Sequence, residues 1–222
     1  MTTLLAATDL PSGASSTQTP YAQMEKVIYD ANAAVSVRVV TSLTSKGVRL
    51  VTLTNASQTG GLQTVTLTEA GKSNSVTIEL LAGILYVKGD YTMLTSYLAL
   101  SKSNATKFAN KWFTISAGNV EYEEVGQGLT ISSVMDQVTM TPSVVARAPT
   151  TMSGKKVDVL SGMTVKTALD PSISVTLYYS SAKTPLPIEV TGSPQGSKAV
   201  ILFSHWGEKV KLVAPKATLQ LT

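Results

Sequence analysis

The chain has 222 residues, no Cys, a single His and only 14% charged residues, with Lys and Arg outnumbering Asp and Glu 18 to 14 for a formal net charge of +4. That composition excludes disulfides and thiolate chemistry, supplies no histidine cluster for metal or triad chemistry, and offers no concentrated basic face for nucleic acid. The 43% hydrophobic share, with Ser and Thr making up about a quarter of the residues, suits a folded β-rich unit with solvated strand faces.

The positive excess is mild and spread along the chain, as ordinary solubility charge is; attraction to an anionic membrane surface is the functional alternative. The longest apolar stretch, Leu80 to Val87, is far too short to span a bilayer. Residues 1–18, rich in Thr, Ser, Ala, Pro and Gly, read as a flexible tether, and 19–222 as the folded domain. Thr19 caps a helix with Pro20 at its first position. Met24, Val27, Ile28 and Ala31 make one stripe along that helix.

Strands follow. Val35, Val37 and Val39 alternate with Ser36, Arg38 and Val40, and a turn at Lys46-Gly47 leads into 48–57. Gly60-Gly61 signals a hairpin into 63–69, with Val65 and Leu67 on one face. After a turn at 71–74, Val76, Ile78 and Leu80 alternate with Thr77 and Glu79, and 84–88 is a further strand. Such short connections imply an antiparallel meander.

The period then changes from two to nearly four. Asp90 caps a helix presenting Tyr91, Leu94, Tyr97 and Leu98, and a second carries Ala105, Phe108, Ala109 and Trp112. A third, from Thr130 to Met140, presents Ile131, Val134, Met135 and Val138, and Pro142 stops it. Between them, 121–128 reads as an acidic, glycine-bearing loop. Strands resume over 155–165, with Val157, Val159, Met163 and Val165 on one face. Then come Ile173, Val175, Leu177 and Tyr179, then Leu186, Ile188 and Val190, then 199–203 and 209–213.

The chemical candidates are few. His205 beside Trp206 and Gly207 reads as structural, since no nucleophile-elbow motif accompanies it. Glu121, Glu123 and Glu124 read as a solvated loop face rather than a cation site. Gly126-Gln-Gly128 is too short for a nucleotide motif and reads as loop flexibility or a hinge for the next helix. No catalytic residue, metal or cofactor is expected.

Several phrases, in their order, carry a resemblance: Tyr86-Val-Lys-Gly89 before a helix, Lys111-Trp112, Leu186-Pro-Ile-Glu-Val190 and Phe203-Ser-His-Trp-Gly207 running on to Ala214-Pro215. Over roughly residues 20 to 215 the chain resembles the actinobacterial envelope lipoproteins represented by LppX and LprG, which are similar in fold to the LolA and LolB carriers. His205 and Lys209 depart from that pattern, standing where an acidic residue and a Pro are expected.

The resemblance implies an α+β fold, a single curved antiparallel sheet forming an incomplete β-barrel, with helices covering an apolar cavity. The lining expected from the strands is Val37, Val39, Val65, Leu67, Ile78, Leu80, Leu177 and Ile188. From the helices it is Leu94, Tyr97, Leu98, Val134, Met135 and Val138. It further implies a non-enzymatic carrier for the acyl chains of a lipid or glycolipid, at the outer face of the plasma membrane. Residues 1–18 would be the remnant of a lipid-anchored membrane tether, and an envelope transport partner would receive the cargo. The other reading of the same fold is a ligand-free interaction or sensor domain with a filled interior.

Overall fold

The computed structural model describes residues 18–119, 121–166, 172–216 and 218–221; the expected tether, Gln18 apart, lies outside them. The first element is helix α1, Pro20–Asn32. The Thr19 hydroxyl accepts from the Ala22 N–H, and Pro20 sits in the first turn, where no N–H is needed. Met24, Val27 and Ala31 are buried along one stripe.

Five antiparallel strands follow: β1 Ser36–Ser45, β2 Val48–Ser57, β3 Gly61–Glu69, β4 Lys72–Leu81 and β5 Ile84–Gly89. Lys46 and Gly47 both take positive φ, as a two-residue hairpin between twisted strands requires. Next come α2 Tyr91–Ser96, α3 Lys102–Phe108, β6 Phe113–Ser116, α4 Tyr122–Gly126 and α5 Ile131–Asp136. The remaining strands are β7 Val145–Met152, β8 Lys155–Met163, β9 Ser174–Ser180, β10 Pro187–Gly192, β11 Lys198–Ser204 and β12 Leu219–Gln220.

All twelve strands join one open sheet in the order β12-β6-β5-β4-β3-β2-β1-β11-β10-β9-β8-β7. Early and late strands meet at its centre, where β1 pairs β11 from Arg38–Ser204 to Thr44–Lys198. One face carries the helices and two packed clusters. In the first, α1 and α5 lie on Val37, Val39, Leu160, Leu177 and Val190. In the second, Met93, Leu94, Ala105 and Phe108 of α2 and α3 lie on Val65, Val76, Ile78, Leu85 and Phe113. Each such aliphatic or aromatic side chain contributes on the order of 1.5–3 kcal/mol when fully buried.

Several elements differ from the sequence expectation. Helix α5 ends at Asp136 rather than Met140, because the backbone of 139–141 pairs instead with 163–165. The Val165 N–H donates to the Thr139 carbonyl, the Thr141 N–H donates to the Met163 carbonyl, and Met140 bridges Thr164. Val138 and Met140 remain buried beyond its end. The expected loop at 121–128 contains α4. Tyr91 is 42% exposed rather than facing inward with Leu94. On β8 the residue that reaches the inner cluster is Leu160, opposite Leu177, while Met163 and Val165 are 41% and 42% exposed.

Strand β7 has no counterpart in the sequence reading: it is exposed, lacks apolar alternation and contains Pro149. An edge strand tolerates this, and the register shifts between Arg147 and Thr150. Finally, 209–213 is not a strand. The chain reaches the sheet again only at β12, which runs parallel to β6, the one parallel pairing among the described strands.

The Phe203–Gly207 phrase is a clasp. Trp206 stacks on Phe203 with ring centroids 6.1 Å apart, and its Nε1 donates to the Pro187 carbonyl at 3.2 Å. The Gly207 N–H donates to the Ser36 carbonyl at 2.9 Å. His205 is exposed at the turn, with Nδ1 2.9 Å from the Ser204 hydroxyl.

Candidate ligand-binding hollow

Between the two packed clusters lies a hollow of about 260 Å3. Its floor is the centre of the sheet: Val39 and Thr41 of β1, Thr52 and Thr54 of β2, Gln63 of β3 and Ile201 of β11. Register fixes their neighbours, because Val39, Thr54 and Gln63 are consecutive partners across three strands. Thr41 stands between Thr52 and Ile201 in the same way.

These rungs change character as they leave the hollow. Gln63 is followed by Ile78, Val87 and Phe113, and Thr52 by Val65 and Val76. Polar floor thus gives way to aliphatic core where α2 and α3 come down onto the sheet. Thr54 and Gln63 are only 3% and 7% exposed, and the Gln63 Nε2 donates to the Thr54 hydroxyl at 3.1 Å. That bond offsets the cost of burying both groups.

The cover is built from short pieces, each tied to the sheet. Asp90 caps α2 through the Met93 N–H at 2.9 Å, and its other oxygen accepts from the Ser75 N–H of β4 at 2.6 Å. This places Tyr97 and Leu98 over the hollow. The Tyr122 hydroxyl of α4 donates to the Gly83 carbonyl at the β4–β5 turn, and Glu121, Glu124 and Val125 form the next part of the wall.

Thr130 caps α5 in a reciprocal box with Ser133, whose hydroxyl also accepts from the Gly128 N–H at 2.8 Å. Val134, Gln137 and Val138 complete the cover, with Gln127 and Gly128 in the lead-in. Among the described residues, none lining the hollow is basic. Burial, and secondarily the charge of Glu124, push the Tyr97 phenol above its ordinary value. Tyr97 is 39% exposed as a whole residue, so the desolvated part is its phenol end.

Of the fourteen residues expected to line a cavity, Val39, Tyr97, Leu98, Val134 and Val138 border this hollow. Val37, Val65, Ile78, Leu94, Met135 and Leu177 are buried in the two clusters instead. Leu67 and Leu80 are half-buried against the second cluster. Ile188 is half-buried where the β9–β10 register shifts between Pro187 and Glu189.

The sequence reading missed the polar lining. Glu121 and Glu124, assigned to a solvated loop, border the hollow, as do Thr41, Thr52, Thr54, Gln63 and Gln137. The available signal was Gln63, a polar residue at the same strand parity as Val65.

An open sheet, antiparallel but for the β12–β6 pair, with helices laid across one face is the incomplete-barrel class that the resemblance implied. Solved structures that share it include two from mycobacteria. The lipoprotein LppX of Mycobacterium tuberculosis matches with a TM-score of 0.54 and 12% identity over 86% of this chain and 97% of that one. LprF of Mycobacterium bovis matches with a TM-score of 0.53 and 10% identity over 88% and 96%. At such identity the likeness is one of fold. No family model and no curated protein matches the sequence.

Proposed function

We propose that the protein is a lipid-binding carrier of the bacterial cell envelope, holding an acyl chain beneath its helical cover and passing it to a membrane or a transport partner. The observation that carries this reading is the hollow itself, enclosed by Val39, Leu98, Val125, Val134, Val138 and Ile201 on its apolar side. An apolar cavity of about 150 Å3 suffices to hold a benzene, and small-molecule sites begin near 300 Å3. The hollow lies between those sizes and suits one hydrocarbon tail. Each buried methylene contributes about 0.8 kcal/mol, so tight holding requires no strong polar contact.

No bond is made or broken in this mechanism. Helices α2 to α5 have five to seven residues each, too short to persist without their packing. Small shifts of these pieces would open and close the hollow, so that loading selects a more open arrangement. The likeness in fold to a protein described as a lipoprotein supports placing this chain at the outer face of the plasma membrane, anchored through its N-terminal segment.

Organic extraction and mass spectrometry of the purified protein test the reading, together with uptake of a fluorescent single-chain lipid. Lipid in the extract and saturable uptake are expected, and Val138→Phe should abolish uptake while leaving the circular dichroism spectrum unchanged. An empty extract combined with no uptake by the parent protein would overturn it. The second reading, a ligand-free interaction domain, draws on how fully side chains fill both flanks of the helix-bearing face; the same empty extract would favour it.

A further inference from the structure

We infer that the hollow takes a single-chain amphiphile whose head donates hydrogen bonds and carries no negative charge, and that it turns anionic lipids away. This rests on the lipid-binding reading and goes beyond it by naming the head.

The first ground is the floor. Thr52, Thr54 and Gln63 occupy rungs that elsewhere hold Val65, Val76, Ile78 and Val87. A floor built only for hydrocarbon would continue the aliphatic row, since burying polar groups costs free energy unless they are hydrogen-bonded. One N–H of the Gln63 amide is engaged by Thr54; its carbonyl oxygen can accept from a guest, and its second N–H can donate to one. A wholly apolar guest would leave that acceptor unmatched.

The second ground is charge. Glu121 and Glu124 both border the hollow, and among the described residues no Lys or Arg does. Two carboxylates beside a partly enclosed space repel a carboxylate or phosphate head and attract an ammonium. Hydroxyl and ammonium heads share the property required by floor and wall alike: they donate. The volume of about 260 Å3 restricts the guest to one chain.

The test uses four probes with the same fourteen-carbon chain: monomyristoylglycerol, tetradecylamine, myristate and methyl myristate. Each is titrated into the whole protein near neutral pH by displacement of a fluorescent fatty probe. The glycerol ester and the amine should bind at least tenfold more tightly than myristate, and methyl myristate less tightly than the glycerol ester. In E121Q/E124Q, both at the wall rather than in the core, myristate should gain and the amine should lose at least threefold. In Gln63→Leu the glycerol ester and the amine should both weaken, while methyl myristate should not.

Myristate binding as tightly as the glycerol ester, unmoved by the double substitution, would overturn the inference while leaving a lipid carrier standing. Binding of none of the four would remove the lipid-binding reading itself.

Discussion

The Glu79 carboxylate accepts a 2.7 Å hydrogen bond from the backbone N–H of Val213, a residue 134 positions further along the chain. Glu79 alternates with inward-facing Ile78 and so points from the opposite face of β4, yet it is only 6% exposed. The segment that buries it leaves β11 at the Phe203–Gly207 clasp, where the Ser36 hydroxyl donates to the Glu208 carbonyl. It then passes Glu79 and docks as β12 beside β6. In the sheet β1 to β5 stand between β11 and β6, so this strap crosses the back of five strands.

Burial pushes the Glu79 carboxyl above its ordinary value, and the Val213 N–H partly offsets the shift. The folded protein therefore holds this proton more tightly than the unfolded chain. Its contribution to stability is complete below the ordinary value of 4.5 and is lost as pH rises through the higher folded value. Thermal melts across that window should show the parent losing stability with rising pH relative to Glu79→Gln. The amide keeps an acceptor for Val213 and does not titrate there. Parallel pH profiles for the two proteins would show that Glu79 is not the titrating group.

Tyr179 links α1 to β9, its hydroxyl donating to the Gln23 side-chain oxygen at 3.1 Å. Burial, with the nearby charge of Asp158, pushes its phenol up to about 12. Stability from the neutral phenol is present below the ordinary value of 10 and is lost as pH rises through about 12. Tyr179→Phe should cost about 1 kcal/mol in denaturant melts near neutral pH. It should also remove the last phenol to ionise in a spectrophotometric alkaline titration. A titration curve unchanged by the substitution would assign that high value to another Tyr.

The strands were legible in the sequence wherever one face is buried and the other solvated: β2, from Val48 to Ser57, has the expected bounds, and β3 to β5 follow the alternation of Val65, Ile78 and their neighbours. Edge strands carry no such pattern. β7 is almost wholly exposed and β12 has two residues, so neither had a buried face to announce it. The hollow was legible from its helical side, through Leu98, Val134 and Val138. Its floor was not, because Thr suits a strand on either face. Only register, which requires both strand partners, puts Thr52 and Thr54 beneath the cover.

Thr130 anchors α5 by accepting from the Ser133 N–H at 3.3 Å, and the neighbouring Ser57–Thr130 bridge holds the helix start against β2. Thr130→Ala removes the cap and should cost about 1 kcal/mol. Hydrogen exchange should quicken first in 131–136, since this six-residue helix has no reserve of its own. Faster exchange confined to some other part of the protein would contradict a capping role.

Gly61 marks the closest approach of the sheet to the α5 lead-in. A Cβ added there would stand 2.3 Å from the Leu129 carbonyl oxygen and 2.8 Å from that of Asn55, both backbone atoms. Neither can give way easily: Asn55 belongs to the β2–β3 ladder, and Leu129 is completely buried. Gly61→Ala should therefore destabilise by about 2–3 kcal/mol, as overpacking does. Gly47→Ala is the control, for a Cβ there meets nothing within 4 Å and strains only a left-handed turn of φ 82°, at about 1–2 kcal/mol. Because Leu129 leads directly into the Thr130 cap, Gly61→Ala should also lower uptake of a fluorescent single-chain lipid, whereas Gly47→Ala should leave uptake intact. Equal losses of stability in the two variants would mean that β3 and Leu129 are not in contact in solution, and the cover over the hollow would then need another anchor.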